Sequence, residues 1–556
     1  MANSCRGVLL LMATLLMPGI APAQDFAAKG FKVIPTSPRE STPEDVAAGK
    51  LLYEANCMQC HGAEGDGQGV MAELLNPRPR DFRRAIYKIR RTPQGELPID
   101  DDLFQIVSNG MPGTSMPAWR GLLSDAQIWQ LVDYIETFSE DFADYPAEEQ
   151  FVLEGRIEQT PESIQRGAEV YVKAECAKCH GVGGRGDGPS AATLEDEWEF
   201  RIFPADLTQP WSLRGGSSVE DLFRTLTTGV NGTPMPSFSD AWGAEDLWHL
   251  ANYLESIGRE PNWGEILRAR KIDAVPEDPF APAWDEAPAL DIRLAGQIIQ
   301  EPRLFNPSVQ SLTVQALFDE QELALLLTWN DRFENKGGDG APDGEDGALN
   351  GEGGALNGED EAYDGEDEAY DEGDEAYDGD DDAPNDRVSV LFPAREMEEG
   401  KKPYFLMGDR KRPVDAWQWT AGAGIETFLA RGMDGVKPRT SPVTGRGVYL
   451  EGQYRVLLRR SLGADQEDTV VFTPGRMIPI AWNVWDGENA EDGKRRAISR
   501  WYYLLLEPET PWTTWLWPFV VVVLTGVGEV FGLRRLRRHW ASQKLDSATI
   551  PEVSTS

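Results

Sequence analysis

Two pentapeptides hold the residue types that capture a tetrapyrrole iron: Cys57-Met58-Gln59-Cys60-His61 and Cys176-Ala177-Lys178-Cys179-His180. In Cys-x-x-Cys-His the two thiols add to the vinyl groups of haem, and the adjoining imidazole is held under the iron. Each pentapeptide is followed, 55 residues after its histidine, by a methionine in a turn: Gly113-Thr114-Ser115-Met116-Pro117 and Gly232-Thr233-Pro234-Met235-Pro236. A thioether is a soft sixth ligand that favours ferrous iron and raises its potential. A zinc site would use the same Cys and His but leaves both methionine turns unexplained.

Such ligands need a helical frame, and the frame is also duplicated. The offset of 119 residues carries Trp129 onto Trp248, Leu131 onto Leu250 and Tyr134 onto Tyr253. The segments 128–135 and 247–254 read as the same amphipathic C-terminal helix. These features resemble class I cytochrome c domains over residues 44–140 and 161–260. The resemblance implies that His61 and Met116 ligate one iron, and His180 and Met235 the other. It places Cys57, Cys60, Cys176 and Cys179 in the thioethers of two haems c, with no thiol left for a disulfide. An open, peroxidase-like haem would require one methionine to be displaced, which two intact turns disfavour. His249 aligns with Gln130 and reads as a surface histidine; Met71 and Met111 read as packing residues.

After prolines at 276, 279, 282 and 288 the texture changes to short apolar runs at 314–318, 322–329, 388–392, 454–458 and 501–506. Runs of this length between turn residues suggest an antiparallel β-sandwich. The strings Leu327-Thr328-Trp329-Asn330-Asp331, Phe405-Leu406-Met407-Gly408-Asp409, Val414-Asp415-Ala416-Trp417-Gln418-Trp419, Ile480-Ala481-Trp482-Asn483-Val484-Trp485-Asp486-Gly487 and Ala497-Ile498-Ser499-Arg500-Trp501 resemble the haem b-binding gamma subunit of ethylbenzene dehydrogenase. Its relatives are the gamma subunits of dimethylsulfide dehydrogenase and of selenate and chlorate reductases. The resemblance covers about 285–510 and implies one haem b held by a methionine and a lysine. Met407 matches the methionine. The lysine position falls nearest Arg496, a poor iron ligand because it stays protonated, with Lys494 the neighbouring candidate. The chain has four histidines, at 61, 180, 249 and 539. A His-ligated haem b in 285–510 would therefore need His249 to reach across. The alternative is a haem-free sandwich used for docking.

The formal charge is −40 over 556 residues, and residues 337–386 hold 21 Asp and Glu with no Lys or Arg, leaving −19 for the rest. Such a chain would repel a phosphate backbone, so nucleic acid is not its partner. The insert at 336–386 repeats every seven residues, as in Gly347-Ala348-Leu349-Asn350-Gly351-Glu352-Gly353. Its glycines and its single apolar position per repeat forbid a coiled-coil seam, and its charge predicts a disordered loop. Arg6, the apolar stretch Gly7 to Met17 and Ala21-Pro22-Ala23 form a signal peptide, 1–23, carrying the fifth cysteine, Cys5. Residues 512–533 are long and apolar enough for one membrane span. Tryptophans 512, 515 and 517 stand at its entry and arginines 534, 535, 537 and 538 at its exit, which puts the tail 534–556 in the cytoplasm and the rest on the periplasmic face.

The fold expected is multidomain α plus β: two all-α cytochrome domains, one antiparallel β-sandwich and one C-terminal transmembrane helix. The expected function is membrane-anchored electron transfer without bond chemistry of its own. The family resemblance implies a partner with a molybdopterin catalytic subunit and an iron–sulfur subunit. The alternative is a dihaem cytochrome whose β module docks on a membrane oxidase or reductase.

Overall fold

The computed structural model describes residues 26–336, 384–397, 401–463, 468–508 and 513–546. The signal peptide and nearly all of the acidic insert lie outside these residues.

Each Cys-x-x-Cys-His sequence lies between a first helix and two later ones. The first copy has helices Pro43–Asn56, Asp100–Asn109 and Asp125–Glu136, and the second has Pro161–Lys173, Val219–Thr228 and Ala244–Ile257. Both first helices begin with Pro after a capping threonine: Thr42 accepts from Asp45 N–H and Thr160 from Ser163 N–H, the arrangement that satisfies orphan amides at a helix start. First and last helices cross where glycine removes the side chain. A Cβ on Gly49 would fall on the Gln130 carbonyl, and one on Gly167 on the His249 carbonyl. Gly49→Ala and Gly167→Ala are each expected to destabilise their own domain by about 1–3 kcal/mol, since overpacking forces the backbones apart. Thermal unfolding followed at the haem absorbance checks this. Behind the crossing, Phe104 stacks on Trp129 at 4.3 Å and Phe223 on Trp248 at 3.8 Å. Each copy has its own apolar core.

The rest of the described chain forms thirteen strands in one hydrogen-bonded network. The apolar faces of strands such as Glu322–Asn330, Gln453–Ser461, Arg387–Pro393 and Met477–Trp485 meet in a single core containing Trp329, Trp417 and Trp482. Alternation along Ser311–Phe318 puts Leu312, Val314 and Ala316 inward, as a half-buried strand requires. Two expectations need correction. The network begins at Ile266, not near 285, and it is not wholly antiparallel: Ile266–Lys271 runs parallel to Tyr502–Leu506 and to Ser311–Phe318. This strand enters from the last cytochrome helix and fills the gap between those two strands, which fixes its direction.

Three buried carboxylates, Asp331, Asp386 and Asp486, converge at strand ends in this domain. Burial first, then their mutual charge, pushes Asp331 well above the usual range and Asp386 up to about 7; burial also raises Asp486. A carboxyl with a raised folded pKa binds its proton more tightly folded than unfolded. Between about pH 4 and 7 the folded state therefore holds more protons, and stability grows as pH falls. The β-rich unfolding transition is expected at higher temperature at pH 5.5 than at pH 8. Asp331→Asn should raise the pH 8 value and flatten the dependence, read by circular dichroism.

A single helix, Thr513–Asp546, follows. Its segment Leu516–Trp540 contains an 18-residue window of mean hydropathy 1.9 that is unburied by the rest of the protein.

Candidate haem sites

In both copies a backbone carbonyl fixes the histidine. His61 Nδ1 lies 3.1 Å from the Arg80 carbonyl, and His180 Nδ1 lies 3.0 Å from that of Ala205. With Nδ1–H donated to oxygen, Nε2 keeps its lone pair for a metal, the usual way a ligating imidazole is oriented. Burial depresses the pKa of both rings, which favours the neutral ligand form. Phe82 stacks on His61 at 4.6 Å. Tyr53 Oη donates to the Gly62 carbonyl (2.7 Å) and Tyr171 Oη to that of Gly181 (2.6 Å), tying the first helix to the residue after each histidine.

Cys57, Cys60, Cys176 and Cys179 carry free thiols. Burial pushes the Cys57 thiol up to about 12 and the Cys176 thiol up to about 11. The methionine turns are built alike. Thr114 Oγ1 donates to the Met111 carbonyl and accepts from Met116 N–H; Thr233 Oγ1 does the same with Val230 and Met235. Gly110 and Gly229, both at positive φ, let each turn fold back: a Cβ on Gly110 would sit 2.7 Å from the Met116 carbonyl. Trp119 Nε1 and Tyr87 Oη are buried near these turns and loops without an acceptor. Free thiols, a fixed imidazole and a thioether turn fit haem c in each copy, and the first copy adds the two orphan donors.

Two of the readings of lone residues change. His249 is 9% exposed, and its Nδ1 is 2.8 Å from Ser163 Oγ. It is a buried histidine held within its own domain and does not reach the sandwich. The sequence offered no signal for this, because Ser163 is 86 residues away. Met71 is 40% exposed and is not a packing residue.

In the sandwich, Met407 is buried with Leu391, Ala416, Met433, Ala481 and Trp501, at the left-handed φ of 60° before Gly408. Lys494 is not free beside it: its Nζ lies 2.6 Å from Asp434, the residue after Met433. Arg496 is buried with its Cζ 5.0 Å above the Trp485 ring. A cavity of about 490 Å³ opens beside the Met407 cluster, lined by Phe405, Ile498, Trp501 and Lys402. Lys402 donates to the Trp501 carbonyl at 3.2 Å and sits 4.4 Å over Tyr503. Sequence reasoning missed Lys402; its place five residues before Met407 was the available signal. Lys402 and Lys494 are both engaged, with the Trp501 carbonyl and with Asp434, and the cavity lined by Lys402 shares Ile498 and Trp501 with the Met407 cluster, a setting compatible with a haem there.

The sandwich contacts both cytochrome copies. Asn330 Nδ2 donates to Asp206 Oδ2 (2.6 Å), next to the carbonyl that orients His180, and Asn306 Nδ2 donates to the Leu74 carbonyl (3.1 Å).

Comparison with known proteins agrees with this architecture. Residues 44–135 match the family of cbb3-type cytochrome c oxidase subunit III, residues 164–258 match cytochrome c, and residues 281–441 match ethylbenzene dehydrogenase. A candidate respiratory nitrate reductase haem subunit of Haloferax mediterranei is 25% identical over 46% of this chain and 78% of its own length. The cbb3-type cytochrome c oxidase subunit FixP of Azorhizobium caulinodans is 25% identical over 40% of this chain and 65% of its own. The chlorate reductase gamma subunit of Ideonella dechloratans is 31% identical over 18% and 42%. The chain thus spans less than two thirds of the length of the latter two. It carries two cytochrome c domains, which imply haem c, joined to a domain like the ethylbenzene dehydrogenase gamma subunit.

Proposed function

We propose, from two cytochrome c domains joined to an ethylbenzene dehydrogenase-like domain, that this chain is the electron-transfer subunit of a respiratory molybdenum oxidoreductase complex. Catalysis would lie in a molybdopterin subunit served by an iron–sulfur subunit. His61 with Met116 and His180 with Met235 would each hold a haem c iron, and Met407 with a lysine a haem b iron. The haems supply reversible one-electron chemistry. This chain's residues hold the imidazoles in the ligating tautomer, present thioethers that raise the potential, and exclude water with the stacked aromatics behind each site.

The observation that carries this reading is the matched pair of carbonyl-fixed histidines and threonine-built methionine turns. Irons held by His61 with Met116 and by His180 with Met235 would leave no position for substrate, which would suit electron transfer rather than bond chemistry. The apolar part of the last helix, up to residue 533, would anchor the protein, and arginines 534, 535, 537 and 538 that follow it favour a cytoplasmic tail with the haem domains in the periplasm.

A mild-detergent pull-down from native membranes with mass spectrometry tests the partner. Recovery of a molybdopterin subunit supports the proposal; recovery of an oxidase alone overturns it.

A further inference from the structure

The loops that follow the two histidine-fixing carbonyls meet at the seam between the cytochrome domains, and each brings cations to it. The first carries Arg80 and Lys88, the second Arg214. The contact is reciprocal. In one direction, the methionine turn of the second domain rests on the first loop. Asn231 Oδ1 accepts from Gly95 N–H (3.1 Å), Gln94 Oε1 accepts from Ser237 N–H (2.7 Å), and a Cβ on Gly232 would stand 3.2 Å from Ile86. In the other, a Cβ on Gly113, in the first methionine turn, would stand 2.6 Å from the Ser212 carbonyl, two residues from Arg214. Gly215 approaches Ile89, beside Lys88.

These cations are thinly paired, although the carboxylates of Asp196 and Glu197 face both Arg80 and Lys88. Neither the Arg80 nor the Arg214 side chain makes a hydrogen bond or ion pair among the described residues; Arg80 lies 4.4 Å over the Trp198 ring. Lys88, 12% exposed, has one carboxylate, Asp196, at 4.0 Å. Burial, then the charges of Arg80 and Arg214, pushes its ammonium down to about 8. Three buried donors in the same region, Tyr87 Oη, Arg90 Nη1 and Trp198 Nε1, have no acceptor. Tyr87 lies against Phe82, the ring stacked on His61. Grouped cations beside orphan donors need anionic oxygens, because an uncompensated buried charge is costly.

We propose that this seam binds the propionate carboxylates of both haems c, with Arg80, Lys88 and Arg214 shared between them, so that each domain's haem is tuned by residues of the other domain. The proposal rests on the haem c reading above. These are positioning residues: they set the field at the haem edge without touching the iron. A cation near a propionate stabilises the added electron, so its removal lowers the potential.

The test is spectroelectrochemical titration of the isolated full chain, where no partner's carboxylate contributes. Lys88→Met is expected to move both haem c waves to lower potential, Lys88→Arg to restore them, and Arg166→Gln, an exposed cation of the second domain, to move neither. Both waves unmoved, or one alone moved, with the ferrous haem c spectrum intact, overturns the shared seam. Loss of covalent haem from the parent chain would instead fault the haem c reading, so the two failures are distinguishable.

Discussion

Cys57→Ser with Cys60→Ser is expected to halve the covalently bound haem of the purified chain, and Cys176→Ser with Cys179→Ser to do the same. Covalent capture needs both thiols at the vinyl groups, and the four thiols divide two and two between domains with separate apolar cores. Cys57 and Met58 pack against the core around Tyr53, Leu103 and Leu131, and Cys176 against that around Tyr171, Leu222 and Leu250. Loss of one haem therefore leaves the other domain's frame intact. Pyridine haemochrome stoichiometry and intact mass give the count: one haem c per chain in either double variant, none when the two are combined. An unchanged count, or complete loss from one pair alone, contradicts the assignment of one haem to each pentapeptide.

Met116→His and Met235→His are expected to give the second large effect, each on a different haem. Replacing a thioether by an imidazole removes the ligand preference for ferrous iron, and axial ligands spread haem potentials over roughly 0.8 V. Each variant should lower one wave by a sizeable fraction of that range, far more than any surface charge would. The turns tolerate the change locally, since their geometry rests on Thr114 and Thr233 and on the positive φ of Gly110 and Gly229 rather than on the methionine side chains. Redox titration of each single variant tests whether Met116 belongs with His61 and Met235 with His180. Both variants moving the same wave would contradict the pairing.

The cytochrome frames were legible because their signals are local and repeated: spacing of ligands, a helix stripe at 3.6 residues and turn residues around each methionine. The main strands were legible for the same reason, with runs at 314–318, 322–329 and 388–392 lying inside Ser311–Phe318, Glu322–Asn330 and Arg387–Pro393. Ile266–Lys271 was not, since three of its six residues are cationic and only Leu267 and Ala269 are buried. Gly424–Ala430, Val436–Arg439 and Thr444–Tyr449 were missed because glycine, proline and charge break their patterns. Residues defined by long-range packing left no trace in spacing. The burial of His249 depends on Ser163, the engagement of Lys494 on Asp434, and the basic seam on which loops of two domains meet. The charge is also uneven along the chain: the acidic insert accounts for about half of −40, whereas Arg80, Lys88 and Arg214 gather at the seam.

The central claim is a chain that carries electrons through three haems of two kinds. Acid–acetone extraction followed by pyridine haemochrome spectra of pellet and extract tests it most directly. The account predicts two non-extractable haems c and one extractable haem b per chain. Two haems c with nothing in the extract would contradict it, leaving the β domain as a docking module.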